Sequence, residues 1–411
     1  MTPTRPTCPV DHHSADYIAN AQETHARLRE ECPVGWSDEH GGFWVLSRYR
    51  EIKDALKRPE LFSSARIQRE DGTWDGGAAV PANQSSTLLY PLEIDPPESS
   101  PYRAAIAKWM SRSALEQHRE PLTAYINATL DRVEPTGRMD IVTEIGMMPG
   151  YMVALLLGID PELAPRIAWP FNAMDVLERD TPEFAEAQEQ MGWLVGFLAE
   201  LCRSRRENPG DDNVSALVMT EFDGEPLPLS GCLSTIMTVI GGGVATTTAA
   251  LEHCLGVIDS HPEIRARLIA DPSLIPQAVE EAIRIHPPVL QVARRLLEDT
   301  TVDGVQMFAG ERVLGSVLSA NHDSSVFPNP EAIDIDRPVK SHLTFGFGVH
   351  RCVGIEVARM ELNLMIGSLL KRFPDFRVVR EECRRFVGES HNNGYSVFPI
   401  ELAPKMAAAA V

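Results

Sequence analysis

The sequence predicts a mainly helical single domain with a small β part. Apolar stripes at helical spacing run through four long segments, residues 102–117, 183–206, 232–258 and 355–373. β-rich runs are short and few, and no repeat or low-complexity linker divides the 411 residues. Apolar residues make up 44% of the chain and charged ones 23%, enough to build a core without disulfide staples.

Taken in order, residues 1–15 read as an N-terminal arm, polar and Pro-rich, without the apolar core of a signal peptide. Residues 16–405 form the domain, and the Ala-rich residues 406–411 a frayed tail. Residues 42–47 (GFWVLS) have strand-type side chains. Residues 68–101 are rich in Gly, Pro and Ser and read as a long loop, a length that usually marks a lid or binding segment. Residues 300–320 read as short strands around Asp303-Gly304 and Ala309-Gly310 turns.

Charge and cysteines exclude several functions. The chain holds 38 basic and 58 acidic residues, a net −20. That sign argues against nucleic acid and against an anionic membrane surface. No uninterrupted apolar run reaches the ~18 residues of a membrane span. Seven cysteines are scattered without a C-x-x-C pair. A disulfide framework and a zinc site are therefore not expected, and a reducing, cytoplasmic setting is. Cys8, His12 and His13 lie close in sequence but lack a fourth ligand.

Two segments carry chemistry. In residues 238–251, Gly241, Gly242 and Gly243 each cost about 1 kcal/mol relative to Ala in a helix interior. Three stiff threonines, Thr246, Thr247 and Thr248, follow. Such a run either lets helices pack closely or opens a widened turn for a small ligand beside a hydroxyl. In residues 345–354, Gly346, Gly348 and Gly354 permit a tight loop that approaches something flat. Cys352 falls just before an amphipathic helix, whose free N–H groups favour a thiolate with a depressed pKa. A buried structural cysteine and a catalytic nucleophile are the alternatives. No general base is evident beyond His350, two residues away.

Phe345, Gly346, Gly348, His350, Cys352 and Gly354 fill all six fixed positions of F-G-x-G-x-H-x-C-x-G, a chance match of roughly one in a million at average residue frequencies. This stretch resembles the haem-thiolate signature of the cytochrome P-450 monooxygenases, and Ala358-Arg359-Met360-Glu361 fits its continuation. The resemblance covers nearly the whole chain. Glu281 and Arg284 resemble the family's E-x-x-R, with Arg337 as third partner. Residues 320–323 and 327–330 resemble the approach to the cysteine loop. The Gly-Thr segment resembles the oxygen-binding helix, and Asp95 to Pro97 with Arg103 the start of a propionate-contacting helix.

The resemblance implies the P-450 fold, haem b with Cys352 on the iron, and insertion of one atom of O2 into a substrate. It implies that Arg103, Arg294 and His350 bond the propionates, while Phe345, Gly346 and Gly354 shape the cofactor loop. Glu281, Arg284 and Arg337 are structural ion pairs. Gly242 and Gly243 leave room for O2, and Thr246 steers protons. Two positions depart from the pattern. Ala245 stands where an Asp or Glu usually precedes the threonine, so water chains, a substrate group or another polar side chain must replace it. Ser99 stands where a propionate-binding His is common.

By position, residues 68–92, 167–192, 287–292 and 391–396 map onto the loops over the haem. Val289, Leu290 and Val292 are apolar pocket candidates, as are Trp169, Phe171 and Met174. His391, Asn392 and Asn393 are either a plain turn or a polar anchor. The implied substrate is a small or medium apolar molecule with one polar end: a terpenoid, steroid or aryl ether, hydroxylated or O-dealkylated. No nicotinamide, flavin or iron–sulfur motif is present, so electrons come from a ferredoxin and ferredoxin reductase. Lys108, Arg112, Arg351 and Arg359 are candidates for the docking patch, or a plain solvated face. The alternatives are a peroxide-driven oxygenase and a non-catalytic haem-thiolate sensor.

Overall fold

The computed structural model describes residues 5–177, 180–338, 341–386 and 392–402. The helices that frame the site are α1 (Ala15–Glu31), α2 (Tyr49–Leu56), α3 (Ser99–Trp109), α4 (Met148–Leu157), α5 (Ala164–Val176), α6 (Pro182–Glu207), α7 (Leu229–Ser260), α8 (Ile275–Ile285) and α9 (Ile355–Arg372). Local capping sets their starts. Ser14 accepts from Tyr17 N at 3.1 Å ahead of α1, and Thr181 accepts from Phe184 N at 3.2 Å ahead of α6.

Helix α7 is the axis of the molecule, packed by α4, α5, α6, α8 and α9. Among the described residues it is the one helix long and apolar enough to cross a membrane by length and composition. Here that apolarity is spent inside the protein: Ile236, Ile240, Val244, Leu251 and Leu255 are fully buried. The Gly and Thr run does not interrupt it. Packing on five neighbours outweighs ~3 kcal/mol of lost helix propensity.

A five-stranded sheet forms the second core, from β1 (Val34–Ser37), β2 (Phe43–Leu46), β3 (Phe62–Ser63), β4 (Gln291–Leu296) and β5 (Arg312–Ser316). Its order is β1–β2–β5–β4–β3. β5 runs parallel to β2 with Leu314 opposite Val45, and antiparallel to β4 with Val313 opposite Arg294. All four side chains of β2 are buried, which is why that strand reads as a continuous apolar run.

Three sequence expectations change. The helix expected over 102–117 stops at Trp109, and a short turn of helix restarts at Arg112 with Ser111 accepting from Ala114 N at 3.3 Å. The strands expected over 300–320 end at Ser316, where its hydroxyl accepts from Ser319 N at 3.1 Å and starts helix Val317–Asn321. Part of the expected loop 68–101 is a hairpin, residues 66–68 pairing with 74–76.

Candidate active site

The cysteine loop is held by its glycines. Gly346 and Gly348 sit at φ 66° and 72°, a region that L side chains rarely adopt. A Cβ on Gly348 would also lie 2.1 Å from Leu56 O at the end of α2. Cys352 N donates to Phe345 O at 2.8 Å and Gly346 N to Leu343 O at 2.8 Å, closing the loop on itself. Gly354 then caps α9. Cys352 is open to solvent-accessible space. Surrounding protein nevertheless pushes its thiol up, outweighing the Gly354 N–H, Arg103 and Arg351, which pull it down. The depressed pKa expected from the helix start is therefore not what the chain alone delivers. A metal ion bound to the sulfur would remove that proton outright.

Beside the loop is a basic cradle. Arg294 on β4 is 6% exposed, and burial pushes its guanidinium down to about 10. Among the described residues the one hydrogen bond of that guanidinium goes to the preceding carbonyl, Ala293 O, at 2.7 Å. Arg103 on α3 donates to Arg351 O. His350 Nε2 lies 3.4 Å from Asp95 Oδ1, and burial holds the ring below the usual imidazole range despite that carboxylate. Asp95 is itself committed, accepting from Ser63 Oγ and from Ser64 N. Of these three, only His350 contacts the Asp95 carboxylate among the described residues; Arg103 is turned to a backbone carbonyl and Arg294 feels Asp95 from a distance. A buried Arg294 with no anionic partner in contact is the donor set that a further carboxylate would satisfy.

The three glycines of α7 have different environments. A Cβ on Gly241 would meet the Phe171 ring of α5 at 2.9 Å, so this glycine serves packing. A Cβ on Gly242 or Gly243 would meet nothing within 4 Å, so their face of the helix borders open space. Thr246 Oγ1 donates to Gly242 O at 2.6 Å, one turn back.

Behind the cysteine loop lies a buried ion-pair network. Glu281 Oε1 accepts from Arg284 Nη2 at 2.8 Å, Arg337 Nε at 3.0 Å and Asp334 N at 3.1 Å. Its Oε2 accepts from Arg284 Nε at 2.8 Å. Burial pushes the Glu281 carboxyl up, but these bonds win and hold it below its ordinary range. Arg284 also donates to Asn321 O at 2.8 Å and Pro330 O at 2.9 Å. Arg337 donates to Pro328 O at 2.6 Å. The network therefore fixes the chain that leads into the loop, as does Asn321 Oδ1, which accepts from Leu343 N at 2.7 Å.

Of the pocket candidates, Val289 and Val292 are half-buried, and Leu290 packs in a core cluster with Val45 and Val80. Asn392 bridges Val289. Asn393 ties the turn together: its N donates to Pro288 O at 2.7 Å and its Nδ2 to Pro287 O at 3.2 Å. His391 lies outside the described residues. Trp169 and Phe171 are half-buried, and Met174 is exposed.

Sequence reasoning missed Glu252 and Asn172. Ala245, Thr248, Ala249 and Glu252, on one face of α7, line a cavity of about 30 Å³ with Asn172, Val142, Phe386 and Tyr395. Room of that size holds one or two waters. Among the described residues Glu252 Oε1 and Asn172 Nδ2 are buried there without a partner, and burial raises the Glu252 carboxyl well above its ordinary range. An acid at seven residues from Ala245, inside an apolar helix stripe, was the available signal.

A thiol at a helix start, next to a cradle for paired carboxylates and an open-faced central helix, fits a flat dianionic cofactor; the class this defines is the haem-thiolate proteins. A family model described as Cytochrome P450 matches residues 169–386. Linalool 8-monooxygenase of Pseudomonas putida is 30% identical, over 92% of this chain and 95% of its own. Steroid C26-monooxygenase of Mycobacterium tuberculosis is 30% identical, over 91% of this chain and 92% of its own. The solved structure of a P450 EryK mutant in complex with erythromycin B superposes with a TM-score of 0.83 at 28% identity, over 96% of this chain and 99% of that one. The chain belongs to the cytochrome P450 family. It is a monooxygenase, an oxidoreductase whose cofactor is haem with a cysteine thiolate on the iron.

Proposed function

We propose that Cys352 is that thiolate and that the enzyme inserts one atom of O2 into a small or medium apolar molecule, by hydroxylation or O-dealkylation. Buried Arg294, with no carboxylate in contact among the described residues, carries the reading, because it, Arg103 and His350 would hold the haem propionates. Bound haem supplies the activation of dioxygen; the residues around it bind, orient and move protons. Gly242 and Gly243 leave the helix face open, and the Thr246 hydroxyl, anchored on Gly242 O, passes a proton from its Oγ1. Ala245 removes the neighbouring carboxylate, and buried Glu252 is the next acid along α7.

The substrate class is a terpenoid, steroid or aryl ether. Half-buried Val289, Val292, Trp169 and Phe171 support an apolar pocket, and relatives are named for linalool and steroid oxidation. Electrons come from a ferredoxin and its reductase in the cytoplasm. Lys108 and Arg351 are exposed for docking, whereas Arg112 pairs with Glu356 at 3.0 Å and Arg359 with Glu280 at 2.8 Å. Ala245 favours one second reading, a peroxide-driven oxygenase. Titrating haem-loaded protein with a terpene alcohol, a steroid and an aryl ether tests the pocket by the spin-state shift. Product formed with ferredoxin, reductase and NAD(P)H, and much more slowly with hydrogen peroxide, supports the leading reading. Equal rates with peroxide alone would replace it by the second.

A further inference from the structure

Three histidines outside the cysteine loop and its cradle converge. His12 and His13 sit in the turn ahead of α1, and His40 in the 3-10 turn Glu39–Gly41 between β1 and β2. One ring nitrogen from each lies within 4.8 Å of the others. The ring centroids are 4.3 Å apart for His12 and His13, 4.7 Å for His13 and His40, and 5.2 Å for His12 and His40. His40 is held at φ 51°, a strained conformation for a residue with a side chain.

The surroundings are those of a ligand set. His12 is 1% exposed, with Phe43 beneath it at 5.1 Å between centroids. Its Nε2 lies 2.7 Å from Val80 O, and that of His13 lies 2.9 Å from the same oxygen. A backbone carbonyl on one ring nitrogen is how ligating histidines are commonly oriented, leaving the other nitrogen for a metal. The remaining nitrogen of His12, Nδ1, is buried with no partner among the described residues. Asp11 Oδ1, half-exposed at the outer edge, is 2.8 Å from His40 Nε2. Cys8 is not in the cluster; it packs with Cys32 against Gly35.

We propose that His12, His13 and His40, with Asp11, form a binding site for a zinc-type divalent cation. Three imidazoles and a carboxylate suit a borderline cation and a tetrahedral geometry, and exclude the oxygen-rich preferences of calcium and magnesium. Ligand nitrogens around zinc stand roughly 3.3 Å apart, given Zn–N bonds of about 2.0 Å. The site closes from its present spread by movement of exposed His40 and half-exposed Asp11 towards buried His12. A bound ion would tie the N-terminal arm to the β1–β2 turn and, through Val80 O, to the loop that follows Gly77. That loop is already fixed from inside by Arg312, which donates to Gly76 O at 2.6 Å and Ala79 O at 2.7 Å.

The test uses the haem-loaded full chain, stripped with a chelator and titrated with zinc sulfate, so that iron occupies Cys352 throughout. One zinc per chain should survive desalting, with a nitrogen-dominated shell by zinc-edge X-ray absorption and a raised unfolding midpoint. His40→Ala and Asp11→Asn should each weaken zinc binding at least ~10-fold, while the unfolding midpoint of the metal-free protein stays within a degree or so of wild type. Zinc lost on desalting, retained equally by His40→Ala, or bound in a sulfur-dominated shell would each overturn the site.

Discussion

Replacing Glu281 by Gln should release the haem pocket. The substitution keeps the volume of the side chain and removes its charge, so it creates no cavity. It leaves Arg284, which is 1% exposed, beside Arg337 with no carboxylate between them. The new amide donor also points at guanidinium donors where an acceptor stood. Breaking a buried pair this way costs about 3–5 kcal/mol, because an uncompensated charge stays behind. Asp336→Asn is the control: it breaks the Arg267–Asp336 pair at 2.7 Å, whose side chains are 44% and 65% exposed. Solvent screens that pair, and the expected loss is under ~1 kcal/mol. Urea unfolding and haem content per purified chain are the assays. Glu281→Gln should lower both sharply, since the network fixes residues 328–337 ahead of the cysteine loop, and Asp336→Asn should lower neither. A Glu281→Gln protein with full haem and the stability of Asp336→Asn would refute the reasoning.

Three further outcomes follow from the same contacts. Gly242→Ala should stabilise the haem-free chain by up to ~1 kcal/mol through helix propensity, while Gly241→Ala should destabilise it by pressing on Phe171; thermal unfolding separates them, and equal effects would refute the open-face assignment. Arg294→Leu should leave haem-free stability unchanged or higher, because it removes a buried charge without a contacting anion, yet speed haem transfer to apomyoglobin several-fold. Burial raises the Glu361 carboxyl from 4.5 to about 8, so it stays protonated in the folded chain while the unfolded chain ionises. Stability should therefore fall as pH rises from 4.5 towards 8, by at most about 5 kcal/mol from this group. Glu361→Gln should flatten that fall in urea titrations at pH 5 and pH 8, and an unchanged slope would show that the group ionises freely.

What was legible in the sequence is what short spacing encodes. The cysteine loop needs its glycines at fixed offsets, so residues 345–354 could be read directly, and Glu281 and Arg284 are one helical turn apart. Arg337 could be placed only by resemblance, because 56 residues separate it from its carboxylate. The three glycines of α7 look alike in sequence. Only the fold shows that Gly241 meets Phe171 and that its two neighbours do not. Ser316 ends β5, and only the fold shows that its hydroxyl also caps the helix that follows. His12 and His13 are adjacent in sequence, whereas only the fold brings His40 beside them from the β1–β2 turn. The thiol of Cys352 was expected to be acidified by its helix, and desolvation, a property of the whole surroundings, reversed that sign.

The most direct measurement is the absorption spectrum of the purified protein, reduced and exposed to carbon monoxide. A strongly red-shifted Soret band, lost in Cys352→Ser, is the result predicted for a thiolate from Cys352 on haem iron. A band typical of imidazole ligation in fresh wild-type protein, or a red-shifted band that persists in Cys352→Ser, would contradict it.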